Sequence, residues 1–223
     1  AQLAYLVANP QNVLGSPQQV SSDRSLSNTI YYGDIMYEGN DGKGGPNEQY
    51  SLGSPNPNFT YSISNNFTYK DFDLSIFLTG SQGGKILNAL NFQAMGMYGL
   101  YMNQNADAAN YWTPSNPNSN IPAPRASFGN NNLVMSDRFL EDASYLRIQN
   151  VRLGYTVPAK WAKKAKLNQL KIYVSGQNLH VFTKYTGLDP EVGSLNQNPI
   201  LQNIDYGRYP TPRVITFGLN AEF

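Results

Sequence analysis

The sequence predicts an all-β fold built from long antiparallel strands, of the kind that forms transmembrane β-barrels. Three observations lead to this prediction. The composition is poor in charge and rich in aromatic residues. Several segments alternate between apolar and polar side chains over roughly 10 residues, the length of a tilted membrane-crossing strand. Long and short connections between these segments follow one another in turn, as they do in such barrels.

The composition also excludes several classes of function. Only 14% of the 223 residues are charged, compared with roughly 25% in ordinary soluble proteins. The 16 basic and 15 acidic residues nearly balance, so nucleic-acid binding is not expected. The sequence has no Cys and a single His, His180, which excludes a thiolate nucleophile and a multi-histidine metal site. No apolar run is long enough for a transmembrane helix.

Five segments are predicted as strands that lie next to one another in one antiparallel sheet. In the clearest of them, apolar residues such as Phe59 and Tyr61 alternate with Thr, Ser and Asn. A tight polar turn at Lys70 joins the first strand to the second. In the third strand the alternation slips by one residue near Gln149, as it does at a β-bulge. The predicted strands are 58–70, 71–80, 144–156, 170–182 and 213–223.

The connections predict a sidedness. Because long loops of such barrels are extracellular and short turns periplasmic, we interpret 1–57 as mostly extracellular loop, and 81–142 and 183–212 as extracellular loops. Residues 58–80 and 144–182 are then hairpins, and 213–223 is the last strand. A secreted β-sandwich or adhesin-type binding module is the alternative, but it gives no reason for every long loop to lie at one end. The chain begins without Met and its first clear strand starts near Phe59, so we expect a C-terminal part of a longer protein.

Several strings of the sequence resemble the C-terminal part of the SusC/RagA-type TonB-dependent transporters of Bacteroidetes outer membranes. Each is modest alone, but they occur in the family's order and extend over residues 33–223. The strings are GDIMY at 33–37, GSPNPNF at 53–59, YWTP at 111–114, SDRFLEDASYLR at 136–147, VSGQNL at 174–179, TGLDPE at 186–191 and YPTPR at 209–213.

This resemblance implies a 22-stranded barrel of which 1–223 would be a C-terminal part, with the plug domain and most strands upstream. It implies the import of glycans or oligopeptides across the outer membrane, energised through TonB. The implied partners are a SusD-like lipoprotein, the TonB complex through the missing N-terminal part, the barrel-assembly machinery during insertion, and outer-membrane lipid. A dimer of transporter–lipoprotein pairs is also implied.

Relatives often carry an acidic turn that resembles a calcium loop after the Gly-Asp pair. Here that turn lacks the regular spacing of oxygen ligands that calcium needs. Asp34, Asn40 and Asp41 are therefore weak calcium candidates, and a plain polar turn is the alternative. No other metal and no cofactor is expected.

The candidate substrate-binding residues lie in the two long loops. Tyr98, Tyr111 and Trp112 have aromatic faces that could stack on sugar rings or peptide side chains, or else pack the loop against its neighbours or the lipoprotein. Asp189 and Glu191 could bind polar ligand groups. Paired carboxylates also occur in glycoside hydrolases, but two residues apart on one loop they are not placed across a sugar, so no enzyme is predicted.

The last strand carries a different kind of candidate. Phe217, Leu219 and Phe223 lie in one apolar row, and the terminal aromatic resembles the signal that the barrel-assembly machinery reads. The same residues could equally anchor the strand at the membrane interface. Trp161, in a lysine-rich connector, suits an interfacial aromatic belt.

Overall fold

The computed structural model describes residues 33, 35, 51–95, 103–124, 132, 136–195, 198 and 200–223. Their regular elements are mainly strands. In chain order they are β1 (Phe59–Tyr69), β2 (Phe72–Gln82), β3 (Lys85–Asn88), α1 (Ala89–Ala94), the 3₁₀ turns Ala106–Asn110 and Asp137–Phe139, β4 (Leu140–Asp142), β5 (Tyr145–Thr156), α2 (Ala159–Lys164), β6 (Gln169–Thr183), β7 (Ile204–Asp205) and β8 (Val214–Glu222). No helix among these residues is long and apolar enough to cross a membrane.

Five long strands form one sheet in the order β1-β2-β5-β6-β8, and every neighbouring pair is antiparallel. The predicted strands are confirmed, and each boundary agrees within two residues. The predicted turn is also confirmed, because Lys70 and Asp71 join the paired residues Tyr69 and Phe72, with Lys70 at a φ of 53°.

The predicted β-bulge lies where the alternation slips. Against β2, Leu78 pairs with Ile148 and Phe77 pairs with Asn150, which leaves Gln149 as the extra residue of β5. The register of β5 against β6 shifts at the same place, where Asn178 and Leu179 of β6 lie opposite the single residue Gln149. A bulge of this kind re-aims the side chains that follow it while keeping the strand in the sheet.

The register places the apolar row of each strand on the same side, since residues directly opposite in antiparallel strands share a face. This apolar face consists of Phe59, Tyr61, Ile63, Phe67, Tyr69, Phe72, Leu74, Ile76, Leu78, Leu146, Ile148, Val151, Leu153, Tyr155, Ile172, Val174, Phe182, Ile215, Phe217 and Leu219. Many of its large side chains are exposed, up to 81% for Phe217. That this face meets lipid stays a prediction.

The other face of the sheet is polar and carries the charges. Lys171 Nζ lies 2.7 Å from Asp73 Oδ1, and this ion pair reaches across β5 at Gly154. A Cβ at Gly154 would stand 2.5 Å from Asp73 Oδ1, so only glycine leaves the space for this contact. Beside it, the Arg152 guanidinium lies 4.2 Å from the centre of the Tyr173 ring.

The long connections contain structure of their own. Strands β4, β3 and β7 form a second, three-stranded sheet in that order. Its neighbourhood holds a small apolar core of Ile86, Ala143, Tyr185 and Val192. This core and the five-stranded sheet belong to one unit, Gly53–Leu87 with Leu140–Phe223.

A second unit consists of Ala1–Leu52 and Asn88–Phe139. In its described part, α1 is capped at its N-terminus by Asn88, whose Oδ1 accepts a hydrogen bond from the Asn91 N–H at 2.9 Å. Phe92 meets Phe139 edge to face at 5.1 Å between ring centres. A second small core joins Met95, Ala108 and Ile121.

Candidate functional site

Where the five-stranded sheet meets the 184–213 connection, polar side chains form a connected set that we call the rim network. It joins the start of β5 to the loop that follows β6 and to β7. Its members are Glu141, Arg147, Tyr185, Asp189, Glu191, Asp205 and Arg208.

Arg147 and Asp189 are the charged pair at the centre of the rim network. The Arg147 Nη2 lies 2.7 Å from Asp189 Oδ1 and 3.2 Å from Glu191 Oε2. Both members of the first pair are buried, with side chains 2% and 7% exposed. A buried charge is costly unless it is paired, so this contact fixes the loop to β5.

The Asp189 carboxylate is held by more than the arginine. It accepts hydrogen bonds from the Glu191 N–H at 3.0 Å and the Thr211 N–H at 3.4 Å. Burial by itself raises the pKa of Asp189. The Glu191 N–H and the Arg147 guanidinium outweigh that effect, so the pKa lies below its ordinary value. Asp189 therefore stays ionised and ties both ends of the loop to the sheet.

Tyr185 and Asp205 make a second buried link. The Tyr185 hydroxyl donates to Asp205 Oδ2 at 2.6 Å, while Asp205 Oδ1 accepts the N–H groups of Gly207 and Arg208 at 2.8 and 3.0 Å. Burial, together with the Asp205 carboxylate, raises the pKa of Tyr185. The phenol thus remains a donor, and the chain reversal at Asp205 stays attached to the end of β6.

Two carboxylates near β4 complete the attachment. Glu141 accepts both the N–H and the hydroxyl of Thr186, at 2.7 and 2.8 Å. Asp142 Oδ1 accepts the hydroxyl and the N–H of Ser144, at 2.6 and 2.9 Å. These two Ser144 bonds lower the pKa of Asp142. Both carboxylates are engaged by groups that hold neighbouring segments together, so the geometry is that of a scaffold.

A cavity of about 530 Å³ lies within the same loop. Leu195 and Ile204 give it apolar walls, and Tyr206 and Arg208 give it a phenol and a guanidinium. Arg208 Nη1 donates to the carbonyl oxygens of Glu191 and Val192. The described lining of the cavity therefore combines apolar groups with hydrogen-bonding groups.

The rim network contains two of the predicted substrate-binding residues. Asp189 is buried and bound to Arg147, whereas the Glu191 side chain is 57% exposed and reaches Arg147 with one oxygen. Glu191 therefore has a surface that a ligand can reach, and Asp189 has little. Their role in substrate binding stays a prediction.

The predicted aromatic candidates lie in the second unit. Trp112 packs on Gly33, where a Cβ would stand 2.6 Å from the indole. The backbone N–H of Trp112 donates to the Ile121 carbonyl oxygen at 2.9 Å. Tyr111 is 36% exposed. This arrangement agrees with the packing alternative for Trp112. Tyr98 lies outside the described residues.

The remaining candidates are in β8 and near the N-terminus. Phe217, Leu219 and Phe223 are 81%, 61% and 88% exposed, and their role as an assembly signal stays a prediction. Among the described residues, no group of three or more His, Asp or Glu side chains could hold a metal ion. Asp34, Asn40 and Asp41 lie outside the described part of the chain.

No family model matches the chain, but individual proteins do. It is 38% identical over 176 residues to TonB-dependent receptor P3 of Formosa agariphila, covering 77% of this chain and 17% of that protein. It is 27% identical over 184 residues to TonB-dependent receptor SusC of Bacteroides thetaiotaomicron, covering 79% and 16%. The structure superposes on the RagAB peptide transporter with a TM-score of 0.64 and 25% identity, covering 79% of this chain and 19% of the other.

The chain is a relative of the SusC/RagA-type TonB-dependent receptors. It spans less than a fifth of the length of the curated relatives it matches. The resemblance drawn from the sequence strings is therefore confirmed. By their names these proteins are receptors and a peptide transporter, which is consistent with the expectation of no enzyme.

The fold also gives the receptor-like strings a physical role. Arg147 ends the string at 136–147, Asp189 and Glu191 lie in the string at 186–191, and Thr211 lies in the string at 209–213. These three strings meet in the rim network. Sequence reasoning did not single out Arg147, Tyr185 or Asp205 as members of this network. Arg147 lies in one of the strings, but its separation from Asp189 along the chain hid the pairing, and Tyr185 and Asp205 lie outside the strings.

Proposed function

We propose that this chain is a barrel segment of an outer-membrane active transporter that imports glycans or oligopeptides. A SusD-like lipoprotein would bind the substrate with it, and TonB would supply the energy. The two-sided sheet carries the proposal. Its apolar face leaves large side chains exposed, its other face is polar, and its strands are 9 to 15 residues long, enough to cross a bilayer when tilted.

The comparisons support the class of protein more closely than the substrate. The RagAB structures are titled as a peptide transporter or importer, whereas the receptors of Formosa agariphila carry no substrate in their names. We therefore propose a substrate that is either a glycan or an oligopeptide. Assembly of two transporter–lipoprotein pairs into a dimer belongs to it as well.

The membrane orientation is tested with two neighbouring residues of β1 in the full-length receptor. Ile63 lies on the apolar face and Ser64 on the polar face, in the central part of the strand. We expect Ile63→Arg to destabilise the folded barrel by about 2–4 kcal/mol, because a lipid-facing charge near the midplane costs that much. We expect Ser64→Arg to have little effect. The readout is the amount of heat-modifiable receptor in the outer-membrane fraction.

Equal effects of the two substitutions, or a larger one at Ser64, would contradict the orientation. Recovery of the full-length receptor in the soluble fraction would instead favour the secreted β-sandwich or adhesin. Transport itself is tested by uptake of labelled oligopeptides and oligosaccharides into cells with and without the receptor gene. TonB energisation requires that uptake stop when the proton motive force is collapsed.

A further inference from the structure

The connection between β5 and β6 contains a short helix. Helix α2 begins after Pro158, and Ala162, only 1% exposed, packs it against β6. The Leu167 N–H returns to the Ala162 carbonyl at 3.0 Å and closes the helix. Its outward side chains form what we call the lysine patch, which consists of Lys160, Trp161, Lys163, Lys164 and Lys166.

The lysine patch has a positive charge that the chain does not neutralise. All four lysines are exposed, and in the described part of the chain none of them forms an ion pair. The elements beside α2 contribute the carboxylates of Asp71 and Glu222, whose backbone carbonyls bond to Thr156 and Asn168. With Lys70 and Lys171 included, six lysines lie near this end of the sheet, against the carboxylates of Asp71, Asp73 and Glu222.

Trp161 adds a large amphipathic surface to these charges. Its side chain is 62% exposed, and Lys164 Nζ lies 4.9 Å from its ring centre. An exposed indole leaves apolar surface in contact with water. It is favourable at a membrane interface, where the ring meets the acyl boundary and the N–H meets headgroups.

The patch also continues the apolar face. At the same end of the sheet, Tyr69 is 71% exposed and the rings of Phe72 and Tyr155 pair at 4.7 Å. The chain passes from Tyr155 to Pro158 and then enters α2. The lysines thus lie just beyond an aromatic edge of the apolar band, at the level where lipid headgroups meet a barrel.

We propose that the lysine patch binds the phosphodiester headgroups of anionic phospholipids in the leaflet next to the short turns. This proposal rests on the proposed membrane-spanning function. The lysines supply the charge for the phosphate, and Trp161 inserts at the acyl boundary and positions them. A periplasmic protein surface would not need the exposed indole to adjoin the apolar face, which is why lipid is the favoured occupant.

The test uses the full-length receptor in neutral detergent. Phosphatidylglycerol or phosphatidylcholine is titrated in, and bound lipid is counted by native mass spectrometry. We expect a preference for phosphatidylglycerol that weakens with added NaCl, because the contact is electrostatic. Lys160→Gln with Lys163→Gln should weaken that preference about tenfold, since each lysine near an anionic surface contributes appreciably. Inorganic phosphate at the same concentration should not displace the lipid.

A matched control removes two lysines at the other end of the sheet, Lys85→Gln with Lys184→Gln, both of which are exposed. This control should leave the phosphatidylglycerol preference unchanged. Equal weakening in both double variants, no weakening in the first, or displacement by inorganic phosphate would each overturn the proposal. Capture of a periplasmic protein by the patch, without lipid preference, would also overturn it. If the wild-type receptor is not recovered in the outer-membrane fraction, the proposed transporter function is contradicted. Fractionation therefore separates that result from a failure of lipid binding alone.

Discussion

The two ends of the five-stranded sheet are stabilised differently. The loop end carries the 184–213 connection, and the turn end carries the Lys70 turn and helix α2. At the loop end, Arg147, Asp189 and Asp205 are buried and each has partners from distant parts of the chain. At the turn end, the strands are joined by the two-residue turn at Lys70 and by the short helix α2, and the lysines of both connections are exposed.

The difference follows from the length of the connections. A tight turn needs only local geometry, so its side chains are free to face solvent or a membrane surface. A connection of some thirty residues has many conformations, and long-range contacts are needed to select one. At the loop end these contacts are charge-assisted hydrogen bonds, which are directional and strong when buried. The loop end is therefore where substitutions should be most damaging.

The largest effect is expected from Arg147→Ala. It leaves the buried Asp189 carboxylate without its cation, and breaking a buried pair typically costs about 3–5 kcal/mol. Arg152→Ala is the matched change nearer the turn end, where the guanidinium lies over the Tyr173 ring and pairs with no carboxylate among the described residues. It should cost about 1 kcal/mol through lost packing and cation–π energy. Thermal unfolding of the purified full-length receptor measures both.

A double variant at Arg147 and Asp189 separates the effect of the buried charge from the effect of lost packing. Arg147→Met with Asp189→Asn removes both charges, so it should be less destabilising than Arg147→Ala alone. If the double variant is as damaging as the single one, the buried charge is not the cause. Similar losses of stability in Arg147→Ala and Arg152→Ala would contradict the expected difference between the loop end and the turn end.

A smaller effect is expected from Tyr185→Phe. The buried Asp205 Oδ2 loses its hydrogen bond at 2.6 Å, and an unsatisfied buried acceptor costs about 1–3 kcal/mol. Tyr173→Phe is the control, because the Tyr173 hydroxyl makes no hydrogen bond within the described part of the chain and its ring lies over Gly218. It should be nearly neutral. Hydrogen exchange should also rise in residues 204–208 for Tyr185→Phe alone, and unchanged exchange there would count against this link.

Low pH should first reduce the stability of the contacts at the loop end. The pKa of Asp189 is lowered by folding, so its stabilising contribution is present above the unfolded carboxyl value of about 3.9 and is lost as pH falls through the folded pKa. The melting temperature of the wild type should exceed that of Asp189→Asn by a constant amount from pH 7 to about pH 5. The difference should shrink below about pH 4. Lys163→Gln removes no carboxylate, so a parallel acid trend in that variant would show a general effect of acid.

The sequence predicted the sheet better than the rim network, for a physical reason. Alternation is a property of neighbouring residues, and each strand of the sheet carries it, including the slip at Gln149. The Arg147–Asp189 contact joins residues 42 positions apart, and no local pattern identifies such a pair. Asp189 was predicted as a polar loop residue, but its burial depends on β5, β6 and the Thr211 segment together. Helix α2 was also missed, because six residues are too few for a clear helical period.

The smallest effect compares two residues with left-handed backbone conformations. Lys70 has a φ of 53° at the turn end, and Asn203 has the same φ at the loop end. Glycine suits both conformations, so Lys70→Gly should change the free energy of unfolding by less than about 1 kcal/mol in either direction. Asn203→Gly has the same backbone effect but also loses the hydrogen bond from Asn203 Nδ2 to the Pro55 carbonyl at 2.6 Å. It should therefore cost about 0.5–1.5 kcal/mol more than Lys70→Gly. Equal values would mean that this long-range hydrogen bond adds nothing, and that backbone conformation alone decides stability at both ends.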